Sequence, residues 1–417
     1  MKYASLAAAT ALVLLVSACS SRDSQPTTST STSQAIVATA TALPHASPSP
    51  PAVSPIAVTG ADKEIKVRWR WDSGLFNVVM WVRASGAKVA ASYGGLYEGP
   101  GNFSSRPGGV ALLDAATGTE LWRRDTPTQA FPAAFANGVV AAGTGDGTVF
   151  AWDQATGAER WRLSFDGIPF QVVQSASLFV VADADPETWG PNGLVDKTRL
   201  GGRVWGVDSA TGTVLWKTSV GSFNAFIAVE SLLTGGFIAA SSSSPTGDGN
   251  TVAIEPLTGN VRWSKPVEAS SPPAVEGSLL VVPGASMEAF DLTSGAPRWS
   301  APAPGGGTYF FPGITGNTVV SGTNTGSLNV LDARDGHLLA SAQMGECASG
   351  QWFQGFGLAY ALFCGSLVRM DHATAGWTLV RILTAQGPID SAAGAGTGIV
   401  LSTGIGSAPE QVLFIEP

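Results

Sequence analysis

The sequence predicts an all-β fold, an eight-bladed β-propeller built from four-stranded antiparallel blades. Three observations predict it. A hairpin pattern recurs about every 40 residues, the two ends of the chain carry complementary strands, and the composition suits short strands. The chain has 51 glycines and only 13% charged residues. Abundant glycine with little charge is typical of tight turns between short strands.

The N-terminus reads as an export signal. Lys2 precedes an apolar stretch over residues 7–16, too short to cross a bilayer as a mature helix. Val16-Ser17-Ala18-Cys19 resembles a bacterial lipobox. We therefore predict that residues 1–18 are a lipoprotein signal peptide and that Cys19 is lipidated, which anchors the chain extracytoplasmically to the cell membrane, or to the outer membrane in a diderm host. An ordinary signal peptide cut near Ala18 is the alternative.

Residues 19–64 are rich in Ser, Thr, Pro and Ala, with few charges. Such a tract buries too little apolar surface to order itself. We predict a disordered tether that leads to a propeller over residues 65–417.

The repeated unit is an alternating apolar strand that ends in an acid, followed by Thr-Gly and then Trp. Its first copy is Asp114-x-x-Thr117-Gly118-x-x-x-Trp122. Further copies start at Asp153, Asp208, Glu255 and Asp291; a sixth at Asp332 has Ala340 in the Trp position, and a seventh at Asp371 lacks the Gly. The Thr-Gly pair forms the hairpin turn, since glycine readily adopts positive φ. Two more strands precede each hairpin, for example residues 131–134 and 138–142, which completes a blade.

The chain ends on an eighth strand of this type, residues 412–416, without its Trp strand. It begins the repeat region with an isolated Trp strand, residues 67–71. The N-terminal strand can therefore complete the last blade and close the ring, which removes exposed sheet edges. Counting acid-ended strands favours eight blades; seven is the alternative.

The Asp-x-x-Thr-Gly-x-x-x-Trp repeat resembles the pyrroloquinoline-quinone (PQQ) repeat. That resemblance implies that the Trp of one blade packs over the Gly of a neighbouring repeat, so we interpret the Trp residues as packing residues rather than ligand platforms. The acids are interpreted as turn acceptors rather than metal ligands. The expected blade-docking residues are Gly118, Trp122, Gly157, Trp161, Gly212, Trp216, Gly259, Trp263, Gly295 and Trp299. With the lipobox, the chain resembles the propeller lipoproteins of outer-membrane barrel assembly.

Functional residues are expected where the repeat is expanded. Two connections between second and third strands are long, residues 93–108 and 184–202, and both should leave the same face. Aromatic side chains beside charges suit protein contacts. The partner-binding candidates are Tyr97, Glu98, Phe103, Arg106, Glu187, Trp189, Lys197 and Arg199. Asp183, Asp185 and Glu187 could hold calcium, but we predict no metal site.

Cys347 and Cys364 are expected on that same face, in one blade. Export makes oxidation plausible, so we predict a disulfide, which would contribute roughly 3 kcal/mol.

The composition and motifs exclude several functions. A net charge of −8 argues against nucleic-acid binding. PQQ-dependent dehydrogenases have two adjacent cysteines over the cofactor, and this chain has none. We therefore expect no catalytic residues and no cofactor, neither PQQ nor Ca²⁺. The preferred function is a monomeric, non-catalytic, protein-binding scaffold of the bacterial cell envelope. The alternatives are a PQQ-dependent dehydrogenase and a propeller that senses a small ligand or carbohydrate.

Overall fold

The computed structural model of the chain describes most of the repeat region and a short piece of the segment before it. The described residues are 53–59, 66–74, 78–95, 107–165, 167–184, 202–221, 224–229, 237–243, 249–344, 351–355, 358–363, 366–373, 376–384, 389–403 and 411–416. Regular structure in these ranges is β-strand, apart from a 3-10 turn at Pro304–Gly306. No described helix is long and apolar enough to cross a membrane.

Within these ranges antiparallel pairing groups the strands into units of four, which we number along the chain. Ala184 and Asn224 join units 3 and 4 into one sheet, and β1 (Ser54–Thr59) joins units 6 and 7. Unit 1 contains β3 (Val78–Ser85), β4 (Lys88–Gly95), β5 (Gly108–Asp114) and β6 (Glu120–Thr126). Unit 2 contains β7 (Ala134–Ala136), β8 (Val139–Gly143), β9 (Thr148–Asp153) and β10 (Glu159–Ser164). Unit 3 contains β11 (Ile168–Ser175), β12 (Leu178–Ala184), β13 (Arg203–Asp208) and β14 (Val214–Ser219). Unit 4 contains β15 (Asn224–Val229), β16 (Ile238–Ser243), β17 (Thr251–Ile254) and β18 (Val261–Lys265).

The remaining units follow the same plan. Unit 5 contains β19 (Ala274–Glu276), β20 (Leu279–Val282), β21 (Ser286–Asp291) and β22 (Pro297–Pro302). Unit 6 contains β23 (Tyr309–Thr315), β24 (Thr318–Thr323), β25 (Ser327–Asp332) and β26 (Leu338–Gln343). Unit 7 contains β27 (Gln351–Gly355), β28 (Leu358–Phe363), β29 (Ser366–Ala373) and β30 (Gly376–Thr384). Unit 8 contains β31 (Ile389–Ala395), β32 (Gly398–Thr403), β33 (Gln411–Glu416) and, from the N-terminal side, β2 (Lys66–Asp72). We name the strands of each unit A to D in this order.

Unit 8 joins the two ends of the repeat region. β2 lies antiparallel to β33, with Val67 opposite Ile415 and Trp69 opposite Phe414. This is the pairing that the complementary terminal strands predict. Unit 8 also contacts unit 1: the Ser402 hydroxyl donates a hydrogen bond to the Met80 carbonyl (2.7 Å).

The hydrophobic core lies between units rather than inside each one. Every core cluster of the described residues combines side chains from two successive units. One of these clusters joins unit 8 to unit 1 through Trp69, Phe414, Met80 and Val82. Each unit therefore has two apolar faces, and each face is buried against one neighbouring unit.

The strands differ from the sequence prediction at two places. In unit 2, strand A begins at Ala134, and residues 131–133 are an approach segment next to an isolated bridge between Ala130 and Thr144. The second difference falls in the segment predicted as tether, where β1 (Ser54–Thr59) forms a strand. Its alternating apolar residues pair with the outer strands of units 6 and 7, a long-range contact that local composition does not reveal.

Candidate functional site

The C–D turns form one face of the molecule and are built alike. In unit 2 the Asp153 carboxylate accepts hydrogen bonds from the Thr156 amide (2.8 Å) and hydroxyl (2.9 Å). In unit 3, Asp208 accepts the same two bonds from Thr211, each 2.8 Å long. The acids thus act as acceptors within their own turns, and this turn chemistry accounts for their recurrence.

Several of these turn carboxylates also pair with an arginine, among them Asp153 and Asp291. The hydrogen bond from Arg160, followed by those from Thr156, lowers the pKa of Asp153 to about 2. The hydrogen bond from Arg298, followed by those from Ser294, lowers the pKa of Asp291 to about 2. Both groups therefore remain charged acceptors over the whole neutral range.

The tryptophans and turn glycines meet between units. A Cβ on Gly212 of unit 3 would lie 2.7 Å from the ring of Trp161 in unit 2, and Gly212 has a φ of +74°. The Trp161 indole N–H also donates to the Ser209 carbonyl of that turn (3.0 Å). The same contact recurs at the following pairs: Trp69–Gly118, Trp122–Gly157, Trp216–Gly259, Trp263–Gly295 and Trp299–Gly336.

Two members of these pairs, Trp69 and Gly336, were not among the predicted docking residues. Trp69 lies on the N-terminal strand of unit 8 and packs on Gly118, with its indole N–H bonded to the Ala115 carbonyl (2.9 Å). Gly336 belongs to the sixth repeat and receives Trp299. Both residues occupy the repeat positions. Pairing each Trp with the Gly of the next unit along the ring identifies them.

The opposite face carries the B–C connections, two of which are long. They leave β4 at Gly95 and β12 at Ala184, and the chain re-enters the sheets at Gly108 and Arg203. The predicted partner-binding residues Tyr97, Glu98, Phe103, Arg106, Glu187, Trp189, Lys197 and Arg199 lie outside the described residues. The structure does describe the strand ends from which both connections start.

The strand ends from which the unit 3 connection starts are held by a buried ion pair. The Asp183 carboxylate is 0% exposed and lies 2.8 Å from Nη2 of Arg203. It also accepts hydrogen bonds from the Arg203 backbone amide (2.9 Å) and the Trp205 indole (3.0 Å). Burial raises the pKa of Asp183, although the bonds from Arg203 oppose the shift. This cross-strand pair fixes the last residues before the connection begins.

An aromatic and a cationic side chain also contact Trp205, which bonds to Asp183. Phe165 meets Trp205 edge-on at 5.0 Å between ring centroids. The Lys217 ammonium lies 4.3 Å from the centroid of the Trp205 ring. Such contacts hold the indole in place between strands C and D.

At the strand end from which the unit 1 connection starts, a tyrosine is hydrogen-bonded to an aspartate. The Tyr93 hydroxyl donates to the Asp125 carboxylate (3.1 Å), and burial together with Asp125 raises the pKa of Tyr93. Tyr93 lies opposite Gly109, where a Cβ would approach within 2.4 Å of the tyrosine oxygen. Both long connections thus start from packed, hydrogen-bonded strand ends on one face.

Comparisons with known proteins agree with this arrangement. The family model PQQ_2, described as outer membrane protein assembly factor BamB, matches residues 106–282. The BamB of Bordetella pertussis is 26% identical over 278 residues, covering 64% of this chain and 68% of that protein. The BamB of Burkholderia pseudomallei is 26% identical over 271 residues, covering 63% and 68%. The crystal structure of BamB from Moraxella catarrhalis matches with a TM-score of 0.62 at 12% identity, covering 85% of this chain and 100% of that one.

The chain has a β-propeller fold, and its repeats are similar to those of the BamB proteins. The structural match supports the propeller fold, and the family model's match over residues 106–282 includes the pairs Trp122–Gly157, Trp161–Gly212 and Trp216–Gly259.

The residues that bear on a quinone and its calcium ion are the cysteines and the grouped acids. The three cysteines of the sequence are not adjacent to one another. In the described part of the chain no three His, Cys, Asp or Glu side chains are grouped as metal ligands. Asp183, one of the three acids considered for calcium, is already bonded to Arg203, and Asp185 and Glu187 lie outside the described residues.

The three cysteines also lie outside the described residues. Cys19 belongs to the N-terminal segment. Cys347 falls between β26 and β27, and Cys364 falls between β28 and β29. The first is a D–A connection and the second a B–C connection, and the pairing of Cys347 with Cys364 stays a prediction.

Proposed function

We propose that the chain is a non-catalytic scaffold of the cell envelope, which binds protein partners through the face that carries the two long B–C connections. One observation carries the proposal: both connections start from buried, hydrogen-bonded strand ends of units 1 and 3. Rigid elements that present aromatic and charged loops suit protein recognition. The similar proteins are named as outer membrane protein assembly factors, so in a host with an outer membrane the partners would be components of that assembly.

The proposal includes the complete domain plan. Residues 1–18 direct export, lipidated Cys19 anchors the mature chain, and residues 65–417 form a single closed propeller of eight blades. Support comes from the lipobox-like segment and from the eight four-stranded units. Mass spectrometry of the membrane-extracted protein tests the anchor, because diacylglycerol adds a defined mass to the peptide that begins at Cys19.

We also propose a Cys347–Cys364 disulfide, which would join two connections on the partner-binding face of unit 7. Alkylation with and without prior reduction tests it. The disulfide predicts that both cysteines react only after reduction, and two freely alkylated thiols would contradict it.

The partner-binding role is tested by crosslinking the full-length protein in native membranes, followed by identification of the bound proteins. Replacing residues 186–200 by a short Gly-Ser linker should remove the specific partners. Trp189→Ala should weaken binding about 30-fold or more if Trp189 is an interface anchor. The matched control is Leu257→Ala, because Leu257 is 73% exposed on the opposite, C–D turn face.

Two results would contradict the scaffold role. One is an unchanged set of crosslinked partners after the loop replacement. The other is tight binding of PQQ and calcium with dye-linked dehydrogenase turnover, which would make the chain a quinoprotein enzyme.

A further inference from the structure

The junction between units 6 and 7 lacks the Trp–Gly contact. Unit 6 has Ala340 where the D strands of units 1 to 5 and of unit 8 carry Trp, and Ala340 is fully buried. The unit 7 turn has no Gly at the repeat position, since the chain there reads Asp371-His372-Ala373-Thr374-Ala375. Both members of the docking pair are therefore missing at the same junction.

The strand β1 (Ser54–Thr59) lies in this junction. Ser54 and Pro55 pair in parallel with Ala340 and Ser341 of β26. Ile56 to Thr59 then pair in parallel with β30, from Trp377 to Val380. β1 thus joins the outer strands of two units into one nine-stranded sheet, whereas units 3 and 4 share a sheet only through the single pair Ala184 and Asn224 of their inner strands.

One side chain of β1 enters the core of the junction. Ile56 is only 6% exposed and belongs to a cluster that includes Val330 and Ala340 of unit 6 and Val368 and Met370 of unit 7. Ala340 is the residue that stands in the Trp position. An apolar side chain supplied from a distant part of the sequence therefore packs in the same cluster as the residue that stands in the Trp position.

We propose that Ser54–Thr59 is a built-in docking strand, which replaces the Trp–Gly contact between units 6 and 7 and fixes the point where the N-terminal tether leaves the propeller. The assignment of residues 19–52 as the free tether rests on the proposed lipid anchor; the docking of β1 does not.

The direction of β1 determines the face from which the tether leaves. D strands start at the C–D turns and run toward the B–C face. Because β1 is parallel to β26 and β30, its first residues lie at the C–D turn side. The tether and the two long B–C connections consequently leave from opposite faces, and the C–D turn face is the side nearer to the anchor.

The length of residues 19–52 sets the greatest distance between the lipid anchor and the propeller. Residues 19–52 would span about 110 Å when fully extended, at roughly 3.3 Å per residue. As a flexible chain they would have an end-to-end distance of about 30 Å. The docking of β1 therefore shortens the tether and leaves the loop face free for partners on the side away from the lipid.

The test compares two substitutions of the same kind in the full-length protein. Ile56→Asp places a charge in the buried junction, whereas Ile36→Asp makes the same change in the sequence before the described residues. Hydrogen exchange is measured on the peptide that covers Trp377–Val380. We expect Ile56→Asp to lower protection there at least about tenfold and Ile36→Asp to leave it at the wild-type level. Equal protection in both variants overturns the proposal.

A second variant covers the case in which Ile56→Asp fails to fold. Ala340→Trp restores the repeat residue in the cluster that Ile56 joins, so the larger ring competes with Ile56 for the same core. We expect release of β1, seen as lost protection over Trp377–Val380 and new protease cleavage near residues 53–59. Unchanged protection and cleavage in a folded Ala340→Trp protein overturns the proposal. Failure of this test leaves partner crosslinking through the B–C loops unaffected, so it is distinguishable from failure of the proposed function.

Discussion

Two junctions of this propeller differ in how they are filled. At the regular junctions, such as that between units 3 and 4, a Trp side chain packs on a turn glycine and donates its N–H to the same turn. At the junction between units 6 and 7, both residues are absent and β1 supplies Ile56 and a parallel ladder instead. At the junction of units 6 and 7, a distant strand therefore supplies the apolar side chain and the hydrogen bonds that the local motif supplies at the regular junctions.

The regular junction should be the more costly one to break by a single substitution. Trp216 is 8% exposed and donates to the Pro256 carbonyl (2.7 Å). Trp216→Ala should lower the free energy of unfolding by about 3–5 kcal/mol, because it removes a large buried ring and leaves a cavity. Denaturant unfolding measures the effect.

The control for Trp216→Ala is its neighbour Leu215, which is 50% exposed on the same strand. Leu215→Ala should change stability by no more than about 0.5 kcal/mol. Similar losses in the two variants would mean that the tryptophan is not a docking residue.

The glycine on the other side of the contact should have a smaller effect. Gly259 has a φ of +72°, and a Cβ there would lie 2.7 Å from the Trp216 ring. Gly259→Ala should therefore cost about 2–3 kcal/mol, from left-handed strain together with overpacking. Gly316 also has positive φ, but a Cβ there would have no neighbour within 4 Å. Gly316→Ala should cost only about 1 kcal/mol, the strain alone.

A double-substitution cycle separates the two contributions at Gly259. In a Trp216→Ala background the ring is gone, so the cost of Gly259→Ala should fall to that of Gly316→Ala. If the cost of Gly259→Ala stays the same without the ring, the Trp216–Gly259 contact does not contribute to stability, and the regular junction does not depend on it.

The sequence predicts the regular junctions far better than the irregular one. The acid–Thr-Gly–Trp spacing is local, and it predicts the hairpins and the role of residues such as Trp161 and Gly212. The closing strand could be predicted because residues 67–71 carry the same pattern. β1 could not, because Ser54–Thr59 lies in a stretch whose composition is that of a tether and its partners are strands hundreds of residues away. The loops at the candidate site could be placed on one face by counting strands, but the ion pair of Asp183 and Arg203 needs the folded register to become visible.

The smallest predicted effect concerns the turns of the regular units. The pKa of both Asp153 and Asp291 is lowered to about 2, first by hydrogen bonds from Arg160 and Arg298. An aspartate in the unfolded chain has a pKa of about 3.9. Because the folded values are lower, the two carboxylates stabilise the fold above about pH 4, and this contribution is lost as the pH falls toward 2. Replacing both by asparagine, which keeps the turn acceptor, should make the denaturation midpoint less dependent on pH between 5 and 2.5.

The arginines provide the check on this last prediction. Arg160→Gln removes the first cause of the lowered pKa of Asp153, so it should weaken the pH dependence in the same direction as Asp153→Asn, and by less, since the Thr156 bonds remain. The turn of unit 7 has no Thr-Gly pair, and its Asp371 is bonded instead to Arg369 on its own strand (2.7 Å). If Arg160→Gln left the pH dependence unchanged, the acid sensitivity would come from groups outside these turns. In that case the regular and irregular units would differ in how they dock but not in how they respond to acid.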